Sequence, residues 1–425
     1  MRAVKHSLKY ILVFLITVML LTGILVLSAK IPKSAIEDNI HESAVYLCEG
    51  ELFGMKINGV NSSKIDRYAD SILLGIAYGY DSEHPIRSVM QSLYYHLDTQ
   101  NENENLLDAV ENDYEPNQQY MRYWHGSIAV VRPLLLFFNI RQIYILNGII
   151  MTSLVICLLT ILIKNKAYAP AIGVAAGLIA TASWFVPFSL EYTWSYMIML
   201  IMSIIGVQLA FRGRKDYAGI FFMIGGVVTS YMDFLTTETL TLLIPLILIL
   251  WISMRKEENV TRFYFVKKSV KAAGIWICGY VGMWLMKWTM AALVLKENVW
   301  PYISEHIGER LGGDIGISPW QYITGAVFRN IKCLFPLEYG VIGILVAIVL
   351  LLTAAYFGYV YRKKNIRKNR VLIYAAAGIV PYIRYIILHN HSYLHCFFTY
   401  RAQMATILVI VLILEEMAEL KYFRK

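Results

Sequence analysis

The sequence predicts an all-α polytopic membrane protein, with about ten transmembrane helices and a large extracytoplasmic first loop that carries interfacial helices. Of its 425 residues, 57% are hydrophobic and only 16% are charged, whereas an average soluble domain is about 25% charged. Apolar runs of about 20 residues, which is the length that crosses a bilayer, recur along the chain. Basic residues gather in short clusters beside these runs, as in a membrane protein of fixed orientation.

Ten apolar runs are predicted to span the membrane. They are residues 10–29, 142–163, 168–186, 192–211, 217–234, 239–253, 272–295, 338–360, 371–388 and 402–417. The first run follows the basic segment MRAVKHSLKY, as in a signal peptide. It is longer than the apolar region of about 7 to 15 residues in a cleaved signal, so we expect it to be retained as the first span.

The basic clusters predict the orientation. They are Arg2, Lys5 and Lys9; Lys164 and Lys166; Arg212, Arg214 and Lys215; RKEENVTRFYFVKK; YRKKNIRKNR; and the tail KYFRK. These clusters occupy every second junction between spans, which marks the cytoplasmic side. We therefore expect a multi-pass protein of the cell (plasma) membrane with both termini in the cytoplasm.

This topology divides the chain into five parts. They are a first transmembrane helix (1–29), an extracytoplasmic loop with amphipathic and interfacial helices (30–141), transmembrane helices two to seven (142–295), a second extracytoplasmic loop (296–337), and transmembrane helices eight to ten with a cytoplasmic tail (338–425).

The first loop differs in composition from the rest of the chain, because residues 30–127 hold 16 of its 30 acidic residues. The segment KIDRYADSILLGIAYGY has apolar residues near the helical period, which predicts an amphipathic helix on the membrane or on the bundle. The segment DTQNENENLLDAVENDYEPNQQY is polar enough to predict a flexible surface loop. Arg132 and Pro133 interrupt RYWHGSIAVVRPLLLFFNI, which predicts an interfacial helix with Tyr123 and Trp124 at headgroup depth.

Several short segments, taken in their order along the chain, resemble the GT-C superfamily of membrane glycosyltransferases, and in particular its bacterial aminoarabinose transferase and protein O-mannosyltransferase group. The segments are Asp66-Arg67-Tyr68-Ala69-Asp70, Tyr123-Trp124-His125-Gly126, Ser183-Trp184-Phe185-Val186-Pro187-Phe188-Ser189-Leu190-Glu191-Tyr192, and Gly225-Gly226 with Tyr231-Met232-Asp233. The resemblance extends from the first span to the span at 239–253. It implies a polyprenyl-phosphate sugar as the donor substrate and transfer on the extracytoplasmic face.

Asp66 and Asp70 are the candidate catalytic residues. Their spacing of four places both carboxylates on one face of a helix, where they can converge on one point. The resemblance implies that one of them, with Asp66 preferred, is the general base that takes the proton of the acceptor hydroxyl. The alternative is a solvated helix face on which these acids pair with Arg67.

Five further residues are candidates for substrate binding on the outer side. His125 and Arg132 lie where the loop returns to the membrane; His125 would bind sugar hydroxyls or face water, and Arg132 is alternatively a snorkelling anchor. Glu191, Asp233 and Glu238 flank outer hairpins. Ionisable residues at membrane depth are costly and therefore functional candidates, although these three would cost little just above the hydrocarbon.

The last outer loop, HNHSYLHCFFTYR, is rich in polar and aromatic residues. We expect His391 and His395 to contact substrate and Arg401 to bind the phosphate of the carrier, because a guanidinium binds two phosphate oxygens at once. The alternatives are an interfacial anchor for Arg401, and Arg384, Arg329 or Lys332 as the phosphate ligand. The histidine spacing does not match a standard metal site, so we expect no divalent metal cofactor.

The cysteines and the charge narrow the remaining possibilities. The five cysteines include no CxxC pair. Cys48, Cys333 and Cys396 fall on the oxidising side, where two of them could form a disulfide. The favoured interpretation is that all three remain thiols. The net charge of +9 lies in the membrane-flanking clusters, so we expect no nucleic-acid partner.

Together these features predict a membrane glycosyltransferase that moves a sugar from a polyprenyl-phosphate donor to a glycan, lipid or protein acceptor of the cell envelope. A transporter or flippase of a lipid-linked glycan is the alternative, but it predicts internal repeats and charges near the midplane of the membrane. A catalytically silent member of the family is a third possibility.

Overall fold

A computed structural model describes residues 2–214, 217–257, 261–311 and 316–419, and the side chains in these ranges except at 2–7, 306, 307 and 309–311. The helices of the described chain are α1 (Arg2–Ala29), α2 (Glu37–Cys48), α3 (Arg67–Tyr78), α4 (Pro85–Gln91), α5 (Glu102–Glu111), α6 (Ile128–Leu134), α7 (Ile140–Lys164), α8 (Tyr168–Ala180), α9 (Leu190–Phe211), α10 (Ala218–Met232), α11 (Thr239–Lys256), α12 (Arg262–Leu295), α13 (Trp300–Leu311), α14 (Pro319–Lys332), α15 (Gly340–Val360), α16 (Lys368–Ile387), α17 (His389–Leu394), α18 (Cys396–Thr399) and α19 (Met404–Met417). Strands β1 (Leu93–Tyr94) and β2 (Gln118–Gln119) form one antiparallel pair.

The chain is an all-α membrane protein, because eight helical segments of its described part are long and apolar enough to cross a bilayer. These segments are Leu8–Ala29, Ile140–Lys164, Leu190–Phe211, Thr239–Lys256, Arg262–Leu295, Gly340–Val360, Lys368–Ile387 and Cys396–Met417. They correspond to eight of the ten predicted spans. The other two predicted spans fall on the shorter apolar helices α8 and α10, so the total of ten stays a prediction.

Helix α8 is shorter than predicted because the chain turns before the apolar run ends. Ala182 adopts a left-handed conformation with φ of 45°, and a 3-10 helix, Ser183–Phe188, follows it. The helix also packs very closely on α19, since Gly173 and Gly177 face Leu408 and Met404 without an intervening side chain. Small residues spaced by four are the usual means of close helix contact in membranes.

The spans differ in how much of their surface the protein covers. Helix α11 is enclosed over most of its length by α9, α10, α12, α16 and α19, whereas α15 is almost entirely uncovered. An apolar helix that the protein leaves uncovered fits a lipid environment, because lipid tails are as apolar as its side chains. Helix α11 therefore forms the centre of the bundle and α15 its periphery.

Residues between α1 and α7 form a layer of short helices at one end of the bundle, and its polar segment is ordered rather than flexible as predicted. Asn101 and Glu104 form a capping box that starts α5. Asn103 is buried, accepts a hydrogen bond from Ser71 Oγ at 2.7 Å and donates to the carbonyl of Leu47 at 2.9 Å. The asparagines that make this segment polar are thus hydrogen-bond partners of the surrounding structure.

The predicted amphipathic helix exists as α3, but it is covered on more than one side. Beside Ile72 and Ile76 of the predicted apolar face, Asp70 and Leu74 are also buried, because α2, α5, α6 and α9 all pack against α3. Tyr123 and Trp124 are both buried within the protein, and their depth in the membrane stays a prediction. Trp124 is fully buried, and its Nε1 donates to the carbonyl of Met283 in α12 at 2.7 Å.

The opposite end of the bundle carries an ionic cluster at the ends of three helices. Arg255 of α11 pairs with Glu415 at 2.6 Å, and Arg370 of α16 pairs with Glu416 at 3.1 Å. Both acids belong to the last turn of α19. Basic residues of α11 and α16 therefore meet the acidic last turn of α19 at this end of the bundle, and the side of the membrane on which they lie stays a prediction. The tail KYFRK lies outside the described residues.

We expect the large loop and the basic junctions to lie on opposite sides of the membrane. In a cysteine-free background, an impermeant thiol reagent should modify Glu83→Cys in intact cells but Asn365→Cys only after permeabilisation. Both positions are exposed, so reactivity reports sidedness. Labelling of Asn365→Cys in intact cells, with the abundance of both variants matched, would show that the orientation is wrong.

Candidate functional site

A pocket lies between the loop layer and the bundle. Its wall consists of residues of the loop layer, the start of α9, one residue after α10, and residues of the segment that contains α17 and α18. The lining residues are Phe53, Asp66, Tyr68, Ala69, Ile72, Leu73, Tyr120, Tyr123, His125, Glu191, Phe234, His391, His395 and Phe398. Five of the sequence-predicted site residues, Asp66, His125, Glu191, His391 and His395, therefore meet at one place.

Asp66 is the N-cap of α3 and presents its side chain to this pocket. Its carboxylate accepts a hydrogen bond from the backbone N–H of Ala69 at 2.9 Å, which fixes its position. The side chains of Glu191 and Tyr192 lie close enough to interact with it electrostatically. Burial raises the pKa of Asp66 above its ordinary value, since a buried site disfavours the charged form. The cap thus holds a carboxyl group whose proton affinity suits exchange near neutral pH.

Asp70 does not face the same space as Asp66, so the predicted convergence on one point is wrong. Its carboxylate accepts hydrogen bonds from Tyr144 of α7, from Ser189 Oγ at 3.2 Å and from the backbone N–H of Leu190 at 2.9 Å. The last contact places the carboxylate on the N-terminus of α9, where negative charge is favoured. Burial nevertheless raises the pKa of Asp70 to about 8. Asp70 is a positioning residue that fastens α3 to two spans.

The alternative of a solvated face paired with Arg67 does not fit the structure. Asp66 and Asp70 are 3% and 0% exposed. Arg67 donates instead to the backbone carbonyls of Tyr46 and Leu47 at 2.8 and 2.7 Å, with its guanidinium over the ring of Tyr46. This arginine holds the end of α2 against α3 and leaves the Asp66 carboxyl free to serve the pocket.

His125 lies in the aromatic part of the pocket wall. It adopts a left-handed backbone conformation with φ of 51°, and its Nε2 is 2.8 Å from the carbonyl oxygen of Tyr120. Its Nδ1 has no hydrogen-bond partner among the described residues. Burial, with the nearby cations Lys287 and Arg122, lowers the pKa of His125 to about 3. The ring is therefore neutral, and its Nδ1 is left to bond a ligand.

Arg132 is neither a pocket residue nor a snorkelling anchor, contrary to both predicted roles. Its guanidinium is fully buried. It donates to the carbonyl of Ala77 and, at 2.6 Å, to that of Ile31, with a longer contact of 3.4 Å to Tyr80. Because the last carbonyls of a helix lack intrahelical partners, Arg132 joins the end of α3 to the chain that leaves α1.

Asp233 and Glu238 stabilise the hairpin between α10 and α11 and do not line the pocket. Asp233 accepts hydrogen bonds from the backbone and the hydroxyl of Thr236. Glu238 binds both Nε and Nη2 of Arg384, at 2.5 and 3.0 Å. Arg384 is thereby engaged by a carboxylate and is a poor alternative to Arg401 as a phosphate ligand. The hairpin contributes Phe234 to the pocket.

His391 and His395 stand together on the side of the pocket formed by α17 and α18. Their ring centroids are 4.9 Å apart, and the ring of His395 stacks on Phe398 with centroids at 5.2 Å. Within the described ranges, no group of three His, Cys, Asp or Glu side chains is placed to hold a metal ion. Two imidazoles therefore line the same pocket as the Asp66 carboxyl.

Arg401 lies beside Tyr192 and does not line the pocket itself. Its side chain is fully buried, and its guanidinium lies 4.7 Å from the ring centroid of Tyr192. It makes long contacts of 3.4 and 3.3 Å to the carbonyls of Phe397 and Ser62, and its Nε has no hydrogen-bond partner among the described residues. No carboxylate of the described chain pairs with it. An interfacial anchor would be exposed to headgroups, so that alternative does not fit.

The remaining alternative phosphate ligands lie at the surface of the protein, whereas one buried lysine was missed by sequence reasoning. Arg329 and Lys332 are exposed on α14, with Arg329 over the ring of Tyr393 at 4.3 Å. Lys287 of α12, which sequence reasoning missed, is fully buried and donates to the carbonyl of Val89 at 2.7 Å. A single lysine within an otherwise apolar span was the available signal.

The aromatic side of the pocket was also missed. Phe53, Tyr120, Phe234 and Phe398 come from four separate segments, and only their assembly makes a continuous apolar wall. Aromatic residues are frequent throughout this chain, at 13%, so no local pattern distinguished these four.

Comparison of the chain with protein-family models, with curated proteins and with solved structures gives no match. The fold and the site therefore define the class of this protein from its own residues: an all-α membrane protein with an acidic, aromatic-lined pocket between its first loop and its bundle.

The raised pKa of Asp70 predicts a specific dependence of stability on pH. Its folded pKa of about 8 lies above the ordinary value of 3.8, so its protonated form favours folding and that contribution is lost as pH rises from about 4 to 8. In detergent, the thermal midpoint of the wild type should fall across this interval relative to that of Asp70→Asn, whose amide does not titrate. A difference that stays constant with pH would contradict a buried, titrating Asp70.

Proposed function

We propose that this protein is a GT-C-type glycosyltransferase of the extracytoplasmic face of the cell membrane. In this proposal a sugar passes from a polyprenyl-phosphate donor to a cell-envelope acceptor, with Asp66 as general base. The acceptor hydroxyl attacks the anomeric carbon, its proton goes to the Asp66 carboxylate, and the bond to the carrier phosphate breaks. The released group is the polyprenyl phosphate.

The composition of the pocket wall supports a sugar substrate. Aromatic rings of Tyr120, Tyr123 and Phe234 offer apolar faces, while Asp66 and Glu191 offer hydrogen-bonding carboxyls. Pockets of this kind, mostly apolar with a few placed polar groups, bind and orient small ligands. The raised pKa of Asp66 also supports the role of a base, because catalysis is most efficient when the pKa lies near the working pH.

One observation carries the proposal: a buried acid and a buried arginine that pairs with no carboxylate of the described chain lie close to the same tyrosine, Tyr192. The side chain of Tyr192 interacts electrostatically with Asp66, and the Arg401 guanidinium lies over its ring, 4.7 Å from the centroid. A buried guanidinium without a counter-ion is costly, and an anionic ligand removes that cost. A reaction that takes a proton at one point and releases a phosphate near by requires these two groups together.

The direct test is consumption of donor by the purified full chain in detergent. We expect labelled polyprenyl-phosphate sugar to be converted to a glycosylated product when envelope glycolipid is added. Detergent removes the two sides of the membrane, so a transporter or flippase would leave the donor chemically unchanged. An unchanged donor across glycan, lipid and protein acceptors would overturn the proposal.

Replacing the proposed base should remove transfer without removing the protein. We expect Asp66→Asn to lower the rate of sugar transfer by about 100-fold or more, with normal abundance in the membrane. Asp70→Asn should lower the rate less, because Asp70 does not line the pocket. Glu111→Gln, an acid-to-amide change at an exposed position of the same loop, serves as the control.

These variants also identify an incorrect assignment. If Asp66→Asn kept full activity while Asp70→Asn lost it at equal abundance, the base would be Asp70. Loss in Glu111→Gln to the same extent would show that the loop tolerates no loss of acidic charge, and the specific role of Asp66 would then be abandoned.

Replacing Arg401 should weaken binding of the donor phosphate. Lysine keeps the charge but cannot bind two phosphate oxygens in one plane. We expect Arg401→Lys to reduce donor affinity by about 10-fold, the loss of one charge-assisted hydrogen bond, and Arg401→Ala to reduce it further. Equilibrium binding of the labelled donor measures this, with exposed Arg87→Ala as the control.

The lysine variant separates the phosphate role from a packing role. Near-normal transfer in Arg401→Lys, with unchanged donor affinity in both Arg401 variants, would return the phosphate role to Arg329 or Lys332. A folding defect in Arg401→Ala alone would leave the comparison of wild type with Arg401→Lys as the decisive measurement.

A further inference from the structure

Cys333 and Cys396 lie side by side in the fold although the α15 and α16 helices separate them in sequence. Cys333 follows directly after α14, and Cys396 begins α18. They are 1% and 3% exposed and pack together with Tyr400 in one buried cluster. Cys157 and Cys278, by contrast, are exposed on the spans α7 and α12.

The surrounding hydrogen bonds hold the two segments in a fixed register. Asn330, three residues before Cys333, donates to the carbonyl of Ser392 at 2.8 Å and accepts from Thr399 Oγ1 at 2.7 Å. Its own carbonyl accepts from Gln403 Nε2 at 2.8 Å. A disulfide requires its two backbones at a narrow range of separation, and this network keeps α14 against α18 on both sides of the cysteine pair.

A cation beside the pair favours thiol chemistry. The guanidinium of Arg329, one turn before Cys333 on α14, lies close enough to Cys396 to interact with its thiol electrostatically. Positive charge next to a thiol stabilises the thiolate, which is the species that attacks a disulfide. Buried structural cysteines without such a neighbour are usually inert.

We propose that Cys333 and Cys396 form a disulfide that ties α14 to the wall of the pocket. The oxidant is a disulfide-bearing partner of the thiol–disulfide oxidoreductase class. The Cys396 thiolate attacks one sulfur of that disulfide and releases the other as a thiol, which gives a mixed disulfide. Cys333 then loses its proton and attacks Cys396, and the second partner thiol leaves. Two protein thiols are oxidised and one partner disulfide is reduced.

The bond would act on the pocket that contains the proposed base, although its formation does not depend on the proposed function. His395 and Phe398 flank Cys396 closely in sequence, and both line the pocket. A covalent link to α14 restrains this wall and also restrains the unfolded chain over the whole α15–α16 segment. We therefore expect the oxidised protein to have a more ordered site and a higher thermal midpoint.

The bond can be detected by counting protected thiols in the full chain. Free thiols are alkylated in denaturant as the cells are lysed; the protein is then reduced, and the newly released thiols are tagged with a maleimide polymer. A second sample is first incubated in detergent with oxidised glutathione at increasing temperature, since both sulfurs are buried. We expect two tags in the wild type and in Cys48→Ser, and none in Cys333→Ser or Cys396→Ser.

Peptide mapping without reduction checks the same bond in the wild type, independently of how the variants fold. The expected species joins the peptides of Cys333 and Cys396 and is lighter than their sum by two hydrogen atoms. Five free thiols in both samples would overturn the proposal, and so would a linked species that contains Cys48, Cys157 or Cys278.

Discussion

The buried carboxylate of Asp70 is the contact on which the geometry of the site depends. It accepts hydrogen bonds from Tyr144, Ser189 and the first amide of α9, so one side chain joins the loop layer to two spans. Because α9 starts there, the next residues, Glu191 and Tyr192, are brought to the Asp66 carboxyl. Burying a carboxyl group is costly unless it is hydrogen-bonded. This cost favours the one arrangement of α3, α7 and α9 in which Asp70 has all of its hydrogen-bond partners.

Other buried charges connect the loop layer with the bundle in the same way. Arg132 joins the end of α3 to the chain after α1, Lys287 joins α4 to α12, and Arg384 joins α16 to the hairpin before α11. In each case carbonyl or carboxylate oxygens surround the cation. Arg401 differs, since two long carbonyl contacts and two aromatic faces are its partners in the described chain. Arg132, Lys287 and Arg384 therefore hold segments of the fold together, whereas the guanidinium of Arg401 is available to bind a ligand.

Hydropathy predicted the bundle well and the loop layer poorly. A span needs its apolar length and little else, so eight predicted spans appear as helices of sufficient length. In the loop layer the same measures missed the packing: the asparagine-rich segment is the capped helix α5, and Trp124 is buried against α12. Polar side chains in this layer form hydrogen bonds with the backbone of segments that are distant in sequence. The composition of a short segment does not reveal such partners.

The sequence by itself determined the membrane class, the approximate spans and the residue types that meet at the site, because lipid imposes a length and a polarity on each segment. Only the tertiary structure decided which of those residues meet. Asp66 and Asp70 share a helix, yet one faces the pocket and the other the N-terminus of α9. Their roles differ because each side chain is directed by what packs against it, and its partners come from parts of the chain far away in sequence.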